Sequence, residues 1–196
     1  MDHEEARRRL LDAAERLFYE RGVQAVGMDE LRAAAGVSLK RLYQCFSSKD
    51  DLVEEYLRRR DDRWRTDLSG YGTRHAATPE DRLLAVFDWL GEWFAVPGFR
   101  GCAFVNSFGE LGAVSDGVAR AARDHKHAVR EYVADLARDV GAGDPSALAQ
   151  QLVLLVEGAI TTAAITGDPA AARHARTAAE TLITAATAAT VVPSSP

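Results

Sequence analysis

The sequence is poor in cysteine, has no uninterrupted apolar run and carries no catalytic signature, and each lack excludes something. The only cysteines are Cys45 and Cys102, with no Cys-x-x-Cys spacing, so neither a disulfide framework nor a thiolate metal site is expected. No unbroken apolar stretch approaches the roughly 18 residues that cross a bilayer. The start, Met1-Asp2-His3-Glu4-Glu5, has the wrong charge and polarity for a signal peptide, which makes a cytoplasmic protein the expectation. There is no phosphate loop, no Gly-x-Ser-x-Gly and no His-Glu-x-x-His. His125 and His127 look like metal-ligand spacing, but residues two apart on a helix face nearly opposite sides. His127 and Glu131 share a face, a spacing more usual for a surface ion pair. No catalytic residue, metal or cofactor is therefore expected, and nothing specific supports a small helical enzyme.

What is present is an ordinary globular composition: 196 residues, 47% hydrophobic, 27% charged, with a net charge of −5. Overall acidity argues against coating DNA through bulk charge. The charge is uneven, however. The first sixty residues carry as many cations as carboxylates, and the excess acid lies beyond them. Within those sixty, Gly36 to Lys49 holds Lys40, Arg41 and Lys49 and no carboxylate. That stretch reads as a tight turn, a short helix and the start of another, an arrangement that presents side chains to the DNA major groove.

Helical spacing recurs along the whole chain, and no segment reads as a strand ladder. The pattern predicts an all-α protein of about nine helices. The first four run from about Asp2 to Arg21, Met28 to Ala35, Ser38 to Phe46, and residue 49 to Leu68. Residues 69–77, with two glycines, read as a linker. Thr78-Pro79-Glu80-Asp81 is a strong helix start, with a capping hydroxyl, a proline and acids in the first turn. Further helices follow at about Cys102–Leu111, Ser115–Val140, Pro145–Thr166 and Pro169–Thr190. The division expected is a three-helix domain over residues 1–50, a larger helical domain over 51–190, and a frayed tail over 191–196.

In a helix-turn-helix the packing of two helices fixes the second in the groove. Leu31 on the first, with Leu42 and Phe46 on the second, supply that contact, and Cys45 helps to anchor. Gly36 suits the turn, Val37 fills beneath it, and Ser38 can cap the second helix and face a phosphate. Leu39, Lys40, Arg41, Tyr43 and Gln44 are left for the outer face. Arg41 suits guanine and Gln44 adenine, while Tyr43 and Lys49 suit phosphate. A short basic helix is usually only a solvated face. The glycine turn, the serine cap, the Tyr-x-x-Phe spacing and the Ser48 cap of the next helix, coming together, favour DNA.

The segment Leu10 to Gly22, followed by Gly36 to Lys49, resembles the DNA-binding domain of TetR-family transcriptional regulators, over about residues 7–55. The resemblance implies an all-helical homodimer with an N-terminal helix-turn-helix and a C-terminal domain for ligand binding and dimerisation. Carried across position by position, Ser38, Leu39, Lys40, Tyr43, Gln44 and Lys49 fall where the family touches DNA. Two departures stand out. Gly27 replaces the Ser or Thr usual before the second helix, leaving only a weak cap. Lys40-Arg41 replaces a Gly-Thr pair, so stronger salt dependence or added guanine readout is expected, carried by Arg41.

In the C-terminal half, Phe87, Trp89, Trp93, Phe94, Phe108 and Tyr132, with Trp64 on the fourth helix, are candidates to line a cavity for an apolar or aromatic effector. Cys102, Asn106 and Glu110, at four-residue spacing, are candidate specificity groups. Two stripes, Leu148, Leu152, Leu155 and Ala159, then Ala175, Ala179, Leu182 and Ile183, are the candidate two-fold interface. The sequence thus reads as a ligand-responsive regulator, expected to be a repressor that binds a palindromic operator as a homodimer and leaves it when a small molecule binds. Its expected partners are double-stranded DNA, itself and that effector, with no membrane. The alternative is a helical protein-interaction module with a vestigial turn.

Overall fold

Short polar side chains open most of the helices by accepting the amide hydrogens that a first turn leaves unpaired. In the computed structural model, which describes residues 2–188, α1 (His3–Arg21) is capped by Asp2, which accepts from the Glu5 amide at 2.8 Å. The helices α2 (Met28–Ala35), α3 (Leu39–Cys45) and α4 (Lys49–His75) follow. Then come α5 (Pro79–Phe94), α6 (Ala103–Leu111), α7 (Asp116–Asp139), α8 (Pro145–Thr166) and α9 (Ala170–Ala188). Thr78 and Asp81 form a full capping box at α5, and Asp144 accepts from the Ala147 amide at 3.0 Å to open α8. No strand occurs among the described residues. The expected last residues of the ninth helix and the tail 191–196 lie outside them.

One boundary differs from the sequence reading. Helix α4 does not stop near Leu68 but continues through Gly70 and Gly72 to His75. Glycine in a helix costs roughly 1 kcal/mol each, and side chains around the pair offset that. Leu68 is buried, Tyr71 donates its hydroxyl to Glu92 at 3.1 Å, and the Tyr71 ring stacks on His75 at 4.2 Å.

The chain divides into two compact units that are not contiguous in sequence. The first comprises Met1–Trp64 and Cys102–His125, so α1 to α3 share their unit with α6 and the start of α7. This cuts across the division expected at residues 50 and 51. The core of the first unit holds Leu10, Leu31, Leu42, Leu52 and Leu57, all fully buried. Phe18 meets Tyr56 edge to face at 5.6 Å, and deep burial pushes the Tyr56 phenol far above its ordinary pKa. An ionic strip ties α1 to α4: Arg7 pairs with Glu55 at 2.8 Å, Arg59 with Asp12, and Arg63 with Glu15.

The second unit comprises Arg65–Gly101 and Lys126–Pro196, and in its described part α5, α8 and α9 pack together. The expected two-fold stripe proves to be the inner seam of this packing. Leu148, Leu152, Ala159, Ala175, Ala179 and Ile183 are buried within the single chain, and Leu155 and Leu182 are half-buried. The reason is that the largest apolar side chains on a helix go to its own core first, so a stripe of leucines marks the inside. The outer face of α8 instead shows Gln151, Leu154, Gly158, Thr161 and Ile165, with Leu154 68% and Ile165 80% exposed. By length and mean hydropathy α8 is apolar enough to cross a membrane. The search for unbroken runs passed over it, because Gln150, Gln151 and Glu157 interrupt the run without much lowering the average. In the protein Glu157 accepts from the Lys126 ammonium at 2.6 Å.

Gly72 offers a direct test of the α4 extension. A Cβ there would lie 3.6 Å from the Tyr132 hydroxyl, an ordinary contact. Gly72→Ala is expected to stabilise the protein by about 0.5–1 kcal/mol, read as a higher urea midpoint at unchanged slope. A lower midpoint would contradict helical backbone at this position.

Candidate nucleic-acid interface

The reading helix is set in place from both ends. Gly36 closes α2 in the left-handed conformation (φ 66°, ψ 36°), with its amide donating to Ala33 O and the Val37 amide to Arg32 O. Ser38 then opens α3, its hydroxyl accepting from the Arg41 amide at 3.2 Å. On the inner side Leu42 is fully buried and Phe46 nearly so, with the Arg7 guanidinium 4.8 Å above the Phe46 ring. Cys45, half-buried, lies 3.8 Å from His3 Nδ1, and burial pushes its thiol pKa up. At the far end Ser48 accepts from the Asp51 amide at 3.0 Å and so starts α4.

Packing therefore assigns the face. Ser38, Leu39, Lys40, Tyr43 and Gln44 are exposed together. Arg41 is half-buried and its charge acts on Cys45, so Lys40 is the more outward of the two cations. Lys49 is also half-buried, and desolvation lowers its ammonium pKa against the opposing pull of Glu110. Gly27 precedes α2 with no side-chain cap, and a Cβ there would meet nothing within 4 Å. The missing hydroxyl is thus a choice of residue rather than a demand of space.

The expected effector residues are divided between the two units. Trp64, Cys102, Asn106, Phe108 and Glu110 fall in the first unit, and Phe87, Trp89, Trp93, Phe94 and Tyr132 in the second. Phe87 and Phe94 are buried core, while Trp89 stacks on Trp93 at 5.5 Å. Phe108 is 52% exposed, and Tyr132 is half-buried. Cys102 is buried at the start of α6, and Asn106 is exposed. Glu110 has a different task from the one expected. Its carboxylate accepts from the amides of Val23 (3.1 Å) and Gln24 (2.7 Å), in the turn between α1 and α2. The Gln24 side-chain amide donates back to the Glu110 carbonyl at 2.6 Å. Gly22, at φ 87°, leaves room for this clamp, since a Cβ would lie 2.8 Å from Glu110 Oε1.

The first unit also holds a cleft of about 80 Å³. Its walls come from α4 (Leu57, Arg58, Asp61), α6 (Phe104) and α7 (Gly117, Arg120, Ala121, Asp124, His125). His125 is 4% exposed, stacks flat on Phe104 at 3.7 Å, and places Nδ1 2.6 Å from Asp61 Oδ1. Trp64 meets the same imidazole edge to face at 5.2 Å. Of the residues expected at an effector site, Trp64 touches this group. No sequence signal joins Asp61 to His125 across 64 positions, and the aromatic count pointed elsewhere.

A family model described as bacterial regulatory proteins of the tetR family matches residues 10–56, and one for a tetracyclin repressor-like C-terminal domain matches residues 79–179. Among solved structures, a TetR-family transcriptional regulator from Streptomyces coelicolor is similar over 94% of this chain and 97% of its own, with 33% identity and a TM-score of 0.86. Among curated proteins, the transcriptional activator FasR of Mycolicibacterium smegmatis is 48% identical over 59 residues, 30% of this chain and 27% of that protein. The transcriptional repressor KstR2 of Rhodococcus jostii is 44% identical over 52 residues, 26% of each chain. The match spans about a quarter of the length of these curated relatives. With the helix-turn-helix, the C-terminal helical domain and the whole-length structural likeness in agreement, the chain belongs to the TetR family of helix-turn-helix transcriptional regulators and is not an enzyme.

Proposed function

We propose that this regulator is a repressor that binds a palindromic operator as a homodimer and is released by a small molecule. The observation that carries the reading is the exposed face of α3, with Lys40 and Gln44 outward and Leu42 and Phe46 locked beneath. One seven-residue helix reads too few base pairs for an address. Two on a two-fold axis read a palindrome whose half-sites lie about 34–36 Å apart, or a multiple of that.

The outer face of α8 and α9 supports the two-fold. Leu154 and Ile165 stand exposed on α8, and Thr177, Ala178, Thr181 and Ala185 are exposed on α9. Small residues let helices approach closely, and the two large apolar ones supply burial. Leu148 and Leu152 are already buried inside the chain, while half-buried Leu155 and Leu182 keep some area for a partner.

Release is proposed to run through the first unit. A drug-sized ligand needs roughly 300 Å³ or more, so an effector entering the cleft of about 80 Å³ must part α4 from α7 at Asp61 and His125. Helix α4 continues directly from the Ser48 cap beside α3, and α6 grips the α1–α2 turn through Glu110. Movement of either element reaches the reading head without an intermediary.

Four measurements test this reading. Selection of duplexes from a random pool should return a palindrome, and Lys40→Ala should lower the slope of log affinity against log salt by about 1 per protomer. Recovery of no preferred duplex would refute operator binding. Leu154→Arg should convert dimer to monomer by sedimentation, with helicity unchanged, whereas Leu154→Met should stay dimeric. Glu110→Ala removes the acceptor for two amides and is expected to cost roughly 1–3 kcal/mol of stability, while Glu110→Gln keeps an oxygen and recovers part of it. If Glu110→Ala left both stability and operator affinity unchanged, the clamp would have no part in gating.

A further inference from the structure

In residues 2–64 the large apolar side chains standing exposed are Leu39 (48%) and Tyr43 (51%), both on α3 and one turn apart. Tyr43 has a hydroxyl to offer a phosphate. Leu39 has no donor or acceptor, and the internal seam does not need it, because Leu31 and Leu42 fill that seam completely. It sits at the first position of the helix, between exposed Ser38 and exposed Lys40. Its own stretch of chain is cationic, since no carboxylate occurs from Leu31 to Lys49 while Arg32, Lys40, Arg41 and Lys49 do. An apolar side chain held at a polyanion-facing surface calls for an apolar group on the polyanion.

In the major groove the base edges offer N7, O6, O4 and amino groups, and one apolar group, the C5-methyl of thymine. Set over any other edge, Leu39 displaces water from donors and acceptors and returns nothing. Set over thymine, it buries a methyl group at no polar cost. We infer that Leu39 reads a thymine methyl, so that each half-site carries a thymine beneath the N-terminal end of α3, next to the bases met by Lys40 and Gln44. The inference rests on the operator reading above and adds a base identity to it. It also gives Leu39 a role that hydrogen-bond readout cannot provide, because the discrimination is between a methyl group and a hydrogen.

The test uses the full chain and a duplex recovered from the random-pool selection, with each thymine replaced in turn by deoxyuridine. This change removes the methyl and keeps O4 and the base pair. One position per half-site is expected to weaken binding about four-fold, and both together about fifteen-fold, as loss of one buried methyl-sized group implies. Leu39→Ala should bind more weakly and lose that sensitivity, while Leu39→Met should keep it. Leu39 is exposed, so both variants should fold, and circular dichroism checks this. If the selected duplex binds but no deoxyuridine position matters, or the sensitivity persists in Leu39→Ala, the inference is overturned and operator binding stands. If no duplex is selected, operator binding itself fails and the inference falls with it.

Discussion

A helix of seven residues has almost no stability of its own in water, because nucleation costs more than so few hydrogen bonds return. Everything at the DNA end therefore depends on the burial of Leu42 and Phe46. These two side chains convert a marginal turn of helix into a fixed surface. Gly36 sets the angle at which α3 leaves α2, Ser38 stops it from fraying, and Ser48 begins α4 at once. With the inner face fully committed, the outer face has only a handful of side chains to offer.

The first unit is assembled from two distant stretches of chain, and this matters for control. A reading head made only of residues 1–64 could respond to an effector only through α4. Here α6 and the start of α7 belong to the same unit. Glu110 accepts two backbone amides of the α1–α2 turn, and charged acceptors make the stronger hydrogen bonds. The Asp61–His125 contact lies in the same unit, between α4 and α7. The helix-turn-helix and the Asp61–His125 contact thus share one packed body, in which small displacements are resisted and larger ones shift discrete contacts.

The legible parts of the sequence were those whose cause is local. A capping hydroxyl, a proline and an acid announce α5 within four residues, and Asp144 before Pro145 does the same for α8. The helix-turn-helix was legible because its turn, cap and anchors lie within a dozen residues. What escaped had distant causes. Gly70 and Gly72 read as a linker because the packing that keeps them helical includes Tyr71 against Glu92, twenty-one residues on. Glu110 read as a ligand group because its partners are Val23 and Gln24, more than eighty residues earlier. The stripes on α8 and α9 were found correctly as stripes, yet spacing alone does not say which side of a helix meets its own core.

The departures from the family pattern fit together once the face is known. Gly27 leaves the start of α2 without a side-chain cap although the space for one is open. Lys40 adds an outward cation, and Arg41 is half-buried with its charge acting on Cys45. Phosphate contacts hold a protein on any DNA, whereas base contacts hold it on one sequence. On the operator reading proposed above, Lys40 would add a contact of the first kind and the exposed Leu39 one of the second. On that reading, the difference between affinities for right and wrong sequences would rest on the few side chains exposed on α3.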